Sequence, residues 1–241
     1  MPRFFVDQPP QDGMLMLEGE NAHHAARVLR LRPGEAVTLC DGRGTDYDCI
    51  VASVEKDTVH CQVRDCHPAV TEPKQRLTLF MALPKGDKME WIVQKAVELG
   101  TSEIVPYLSK NCVSRPERTE KKVERWRRIA TEAAKQCGRG VLPSVGAVIP
   151  VEQAIARAAQ SETALFLYEN ERQTGLRDAL ADGLGKNVSL LVGPEGGFAP
   201  EEAEAAKNAG LKSVSLGTRI LRCETAPIAA LAVLLYAGGN M

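Results

Sequence analysis

The sequence is poor in the features that settle a protein's class at a glance. It carries almost no net charge: 30 lysines and arginines stand against 31 aspartates and glutamates, a formal net of -1. A uniformly basic nucleic-acid-binding chain is thereby excluded, and any affinity for a phosphate backbone has to come from local patches. Cysteines number seven, odd and scattered over 241 residues, which argues against a disulfide framework and for a reducing, cytoplasmic setting. The stretch MPRFFVDQPPQ lacks the apolar core of a signal peptide. The apolar run Ile228 to Ala237 is shorter than the roughly 20 residues of a membrane span and reads as a buried helix. Missing too are the GxGxxG of a dinucleotide site and the Gly-Lys-Ser/Thr of a P-loop, which argues against a nucleotide-dependent oxidoreductase.

What is present changes character along the chain. Up to about Val70, short apolar and polar residues alternate, with turns at Pro33-Gly34, Asp41-Gly42 and Lys56-Asp57. This predicts several closely spaced strands in a small barrel or sandwich. A short helix is expected over Asn21 to Leu29, with Asn21 as its cap. The proline-bearing segment RDCHPAVTEPKQR marks the boundary between a domain 1–72 and a domain 73–241. Beyond it, LTLFMAL, SEIVPYL, TALFLYE, NVSLLVG and SVSLG read as strands, with helices starting near Asp87, Glu117, Val151, Leu176 and Pro200. Such alternation predicts an α/β domain with a mostly parallel sheet covered by helices.

The helix after Gly86 is well specified. Asp87 and Glu90 form a potential capping box, Met89, Ile92, Val93, Ala96 and Leu99 make an apolar stripe, and Gly100 supplies a stop. Lys88, Lys95 and Glu98 lie off that stripe, as a solvated face or a functional one. The helix RPERTEKKVERWRRIATEAAKQCGRG concentrates positive charge suited to a phosphate backbone, although interleaved glutamates could pair with it. Trp126, in register with Ile129, Ala130 and Ala133, reads as core.

Two glycine-punctuated segments near the C-terminus carry the chemistry. In VSLLVGPEGGFAPEEAE from Val188 and VSLGTRILRCETAPIAALAVLL from Val214, an apolar strand ends in glycine and a helix follows. Loops at the C-terminal ends of such strands are where open α/β sheets build ligand sites. Gly193, Gly196 and Gly197 let backbone approach a ligand, although a simple tight turn is the alternative. Polar Thr218, Arg219, Arg222, Glu224 and Thr225 crowd the second junction. Both loops are expected to form one pocket that takes a nucleoside. His60, Cys61, Cys66 and His67 match no common zinc spacing, and Cys61 alternates inward with Val59 and Val63, so no metal is expected.

LVGPEGGF from Leu191 and LGTRILRCETA from Leu216 closely resemble the two signature segments of the ribosomal small-subunit RNA methyltransferase E family, of the SPOUT class. HHAARVLRLRPGE, LPKGDKMEWIVQKAVELG and RWRRIATEAAKQCGR resemble further family segments in the expected order, so the likeness spans most of the chain. It implies a PUA-like β-barrel followed by an α/β domain tied in a trefoil knot, and a homodimer. It further implies S-adenosylmethionine bound at Leu167 and Tyr168, at Gly193, Glu195 and Gly196, and at Leu216, Ile220, Leu221 and Thr225. The implied reaction is methylation of uridine N3 in small-subunit (16S) ribosomal RNA, naked or assembled in the subunit.

An imide nitrogen must lose its proton to become a nucleophile. A cation near O2 or O4 and a proton-accepting carboxylate would serve. Arg222 is the expected cation, with Glu195 or Glu224 as base; a hydrogen bond within its own loop and a place at a helix start are their respective alternatives. Arg27, Arg30, Arg32, Lys85, Arg125, Arg128 and Arg139 are the expected RNA contacts. Two other readings stay open: a SPOUT enzyme acting on another base or a ribose 2′-hydroxyl, and a non-catalytic RNA-binding assembly factor.

Overall fold

The computed structural model describes residues 1–113 and 118–241. The chain divides into two compact units, Met1–Glu72 with Ala134–Leu142, and Pro73–Ala133 with Pro143–Met241. A single boundary after residue 72 therefore misses a return: Ala134–Leu142 belongs to the first unit.

The first unit is one five-stranded sheet. Its strands are β1 (Arg3–Phe5), β2 (Met14–Glu18), β3 (Ala36–Cys40), β4 (Thr45–Val54) and β5 (Thr58–Pro68), in the order β1-β3-β4-β5-β2. β1 runs parallel to β3, and the other pairs are antiparallel. Phe4, Leu17, Val37, Leu39, Val51, Val59 and Cys61 fill its core. Cys61 does turn inward with Val59, whereas Cys66 is exposed. Helix α1 (Gly19–His23) passes straight into a π-helical turn, His24–Val28. Asn21 lies inside α1 and does not cap it: its amide donates to the Phe5 carbonyl at 2.9 Å. A residue with a tertiary partner within reach serves that partner before its own helix end. The returning segment is held by Glu72, whose carboxylate takes Arg139 at 2.6 Å and the backbone amides of Gly140 and Val141 at 3.0 and 3.1 Å.

The second unit is built on a parallel sheet. In chain order it contains β6 (Arg76–Ala82), α2 (Lys88–Glu98), β7 (Glu103–Leu108), α3 (Glu120–Cys137, whose last turn belongs to the first unit), β8 (Ser144–Val145), β9 (Ile149–Pro150) and α4 (Val151–Ala158). Then follow β10 (Thr163–Leu167), α5 (Leu176–Ala179), β11 (Asn187–Val192), α6 (Pro200–Asn208), β12 (Lys212–Val214) and α7 (Thr225–Ala237). The strand order is β12-β10-β11-β6-β7-β8, with β9 also on β7, and every pairing is parallel. Val188 to Val192 are all buried, as a strand covered on both faces requires. Pro106 is tolerated inside β7 because β8 pairs only with Glu103 and Ile104, and β9 only with Tyr107 and Leu108. Glu117, where the sequence predicts the start of the basic helix, lies outside the described residues.

The helix ends of the second unit follow the sequence with one exception. Pro200 opens α6, and the Glu202 carboxylate accepts the Ala199 amide at 3.0 Å. Asp87 precedes α2, but no capping box forms, since Glu90 is drawn to Arg125 at 2.8 Å. Trp126, Ala130 and Ala133 are buried as expected.

Candidate functional site

β10 lies between β12 and β11, so three strands end side by side with the same polarity. Chain leaving those ends encloses a cavity of about 590 Å³. The β11–α6 loop forms one wall with Gly193, Glu195, Gly196 and Gly197, and the segment leading to α7 forms another with Leu216, Ile220, Leu221 and Arg222. Leu167 and Tyr168, at the end of β10, complete the set. Eleven residues were assigned to this site from sequence, and nine line the cavity; Glu224 and Thr225 do not. Thr225 is exposed as the first residue of α7, its amide donating to the Arg222 carbonyl at 2.9 Å.

The glycine-rich wall is shaped by what its missing side chains allow. Gly197 has φ +67, and a Cβ there would stand 1.9 Å from the Glu169 carboxylate. At Gly193 it would meet the Phe198 ring at 3.1 Å. A side chain would be strained at Gly197 and crowded at Gly193, and at these positions backbone forms the wall. The Asn111 amide donates to the carbonyls of Gly196 and Gly197, both at 3.2 Å, and the Tyr107 hydroxyl donates to the Val192 carbonyl at 2.9 Å just before the loop.

Charge in the site centres on Lys88, the first residue of α2. Its ammonium lies 3.0 Å from Glu195 Oε1, 3.1 Å from Glu224 Oε2 and 3.8 Å from Cys223 Sγ. Glu195 Oε1 also accepts the Lys85 backbone amide at 3.0 Å. Burial would raise the Glu195 carboxyl, but hydrogen bonds from Lys88 and the Lys85 amide hold it below the usual carboxylate range. Glu224 is likewise lowered, its partial burial outweighed by hydrogen bonds, that of Lys88 included. Both carboxylates hold Lys88 above the ordinary lysine range. Burial, reinforced by Glu224, pushes the Cys223 thiol up to about 12, which keeps it protonated and able to donate to Glu224 Oε2 at 3.3 Å. Arg222 differs: it is exposed at the cavity, and its guanidinium makes no hydrogen bond or ion pair among the described residues. The sequence left Lys88 open between a solvated helix face and a functional one. The available signal was its place just past the C-terminal end of a parallel strand.

The expected RNA contacts separate cleanly. Arg27, Arg30 and Arg32 are exposed in the first unit, and Lys85, Arg125 and Arg128 in the second. Arg139 is 3% exposed and bound to Glu72, so it is a structural pair and not an RNA contact. A buried guanidinium stripped of its carboxylate is costly, which fixes it there. Among the described residues no helix is long and apolar enough to cross a membrane, and no group of three or more His, Cys, Asp or Glu side chains could hold a metal ion.

The family model of the RNA methyltransferase domain matches residues 71–235, and that of the RNA methyltransferase PUA domain matches residues 17–64. A PUA-like domain and an α/β methyltransferase domain thus define the chain's class as RNA methyltransferase. The Ribosomal RNA small subunit methyltransferase E of Bacillus subtilis is 34% identical, over 98% of this chain and 96% of its own length. Its counterpart of the same name in Mycobacterium bovis is 33% identical, over 95% and 88%. The crystal structure of the Neisseria gonorrhoeae enzyme of that name, bound to S-adenosyl methionine, superposes with a TM-score of 0.88 at 34% identity, covering 98% of this chain and 97% of that one. The chain belongs to the ribosomal RNA small subunit methyltransferase E family.

Proposed function

We propose that the protein transfers a methyl group from S-adenosylmethionine to N3 of a uridine in small-subunit ribosomal RNA. The observation that carries this reading is a cavity of about 590 Å³, walled by a glycine-rich loop and an apolar segment, with the guanidinium of Arg222, unpaired among the described residues, at its edge. Its volume lies within the roughly 300–1,000 Å³ of small-molecule sites. The residues fit the cofactor. Backbone at Gly193 and Gly196 can reach adenine and ribose, and Leu167, Leu216, Ile220 and Leu221 supply apolar walls for a flat base, with Tyr168 and Glu195 bordering them. Bound there, the cofactor supplies a methyl group already activated on sulfonium.

The chain's own part is to prepare the acceptor. Arg222 holds the negative charge that develops on the uracil oxygens as the N3 proton leaves. Glu195 borders the cavity and Glu224 does not, so Glu195 is the carboxylate assigned to take that proton. Its pairing with Lys88 lowers its proton affinity, which limits its strength as a base and leaves Arg222 the larger share of the work. Arg27, Arg30 and Arg32 of the domain 1–72, with Lys85, Arg125 and Arg128 of the domain 73–241, bind the RNA backbone. The second domain is threaded as a trefoil knot, and two chains pair: Tyr236 at 74% exposure and Val233 at 42% leave an apolar strip on α7 that supports a homodimer.

Methyl transfer to isolated small subunits, compared with naked ribosomal RNA, tests the reading and chooses the substrate. Nucleoside mass analysis of RNA from a deletion strain is the second arm. Intact N3-methyluridine in that strain overturns the proposal, and loss of a ribose-methylated or otherwise modified nucleoside in its place redirects it to another acceptor.

A further inference from the structure

We infer that Lys88 is a positioning residue: a single ammonium that clasps the β11–α6 loop to the segment entering α7 and so fixes the separation of the two cavity walls. This rests on the reading that the cavity takes S-adenosylmethionine.

An ammonium has three protons, and three acceptors surround Lys88: Glu195 at 3.0 Å, Glu224 at 3.1 Å and Cys223 at 3.8 Å. The two carboxylates belong to different segments, Glu195 to the β11–α6 loop and Glu224, just outside the cavity lining, to the stretch entering α7. Lys88 itself is anchored independently of both, as the first residue of α2, whose Met89, Ile92 and Val93 are buried. The clasp is also asymmetric. Glu195 keeps the Lys85 amide as a second donor, so its loop stays attached to the β6–α2 turn whatever happens at Lys88. Glu224 has, besides Lys88, its own backbone amide and the weak donor Cys223 at 3.3 Å, both on its own segment and neither tying that segment to another element. Loss of the lysine therefore loosens the α7-entry wall more than the other and leaves two unneutralised carboxylates beside the site, which repel one another. Lys88 is about one-third exposed, so a single pair would be partly screened; the second carboxylate makes it a network.

The test uses the full chain and S-adenosylhomocysteine, titrated calorimetrically into the wild type, Lys88→Met, Lys88→Arg and Lys88→Met/Glu224→Gln, with thermal unfolding of each ligand-free protein. Lys88→Met should weaken binding about tenfold, as expected for a broken coupled network. It should raise KM for S-adenosylmethionine more than it lowers kcat. Lys88→Arg should recover most of the loss, and the double variant part of it, because no carboxylate is then left without a partner. Wild-type affinity in Lys88→Met overturns the inference, and so does a loss that neither Lys88→Arg nor the double variant relieves. Should Lys88→Met fail to fold, Glu224→Gln alone decides: it removes one arm and should weaken binding about threefold, and unchanged affinity overturns the clasp. If the wild type binds no S-adenosylhomocysteine, the cofactor reading fails by itself. The clasp is then read from the unfolding cycle of Lys88 and Glu224, where additivity overturns it.

Discussion

The two walls of the cavity are made of unlike material. The β11–α6 loop is fastened from outside at every turn: Asn111 holds the carbonyls of Gly196 and Gly197, Lys85 and Lys88 hold Glu195, and Glu202 holds the Ala199 amide. The α7-entry segment presents long side chains to solvent, with Ile220 at 71% exposure and Arg219 and Arg222 both exposed. One wall is a preformed cradle, and the other presents exposed side chains, with Arg222 making no hydrogen bond or ion pair among the described residues. Such a division suits a reaction with two substrates. In the proposed reaction the preformed wall would hold its share of the cofactor without reordering, while the exposed Arg219 and Arg222 would adjust to an incoming RNA.

The largest effect should come from the adaptable wall. Arg222→Ala is expected to lower kcat about 100- to 1,000-fold, the loss typical of removing one donor that stabilises developing charge. Affinity for S-adenosylhomocysteine should stay near that of the wild type, measured by calorimetry. Equal losses in both would show that Arg222 belongs to the cradle and erase the contrast. Gly197→Ala tests the other wall. A side chain at φ +67 costs about 1–2 kcal/mol of backbone strain, and the Glu169 carboxylate must also move. S-adenosylhomocysteine binding should fall about tenfold or more, since about 1.4 kcal/mol corresponds to tenfold in affinity, while kcat at saturating cofactor changes less.

The cradle was legible in the sequence because glycine and proline carry local meaning. GPEGG after an apolar run announces a strand end and a backbone-lined turn, and Pro200 announces the helix that follows. Most of the second unit's strands are legible for a related reason, since a strand buried on both faces must be continuously apolar. Contacts between distant residues left no such trace. Glu72 with Arg139 spans 67 positions and Lys88 with Glu195 spans 107, and no local pattern distinguishes those charges from their solvated neighbours. Arg139 accordingly reads from sequence as an RNA contact, and Lys88 stays open between a solvated face and a functional one. β1, only three residues long, shows no period of its own and gains its place from β3, far along the chain. Asn21 and Glu90 show the reverse error, where a correct local rule yields to a tertiary partner.

A smaller effect is expected at the base of the cradle. Asn111→Ala removes two hydrogen bonds of 3.2 Å that hold the glycine carbonyls. At about 0.5–1.5 kcal/mol for a typical hydrogen bond, affinity should fall about three- to tenfold. kcat should hold steady, because Arg222 is untouched. A fall in kcat without a fall in affinity would mean that the loop's position serves the acceptor and not the cofactor.

The smallest effect concerns the third strand end, where the chain after β10 is tied down by Glu171. Its carboxylate accepts the Ser213 hydroxyl of β12 and the backbone amides of Gln173 and Thr174 at 2.8 and 3.1 Å. Those hydrogen bonds, Ser213 first, bring its pKa from 4.5 down to about 2. A carboxylate lowered in the folded state stabilises the fold fully above its unfolded value, and that contribution drains away as pH falls from about 4.5 to about 2. Glu171 is partly exposed, so solvent screens the gain and the shift in Tm should be modest. Glu171→Gln should unfold at a lower temperature than the wild type at pH 6, and the gap should close as pH is lowered through that window. A gap that stayed constant down to pH 3 would assign the effect to packing, and would leave the β10 end as loosely held as the segment entering α7.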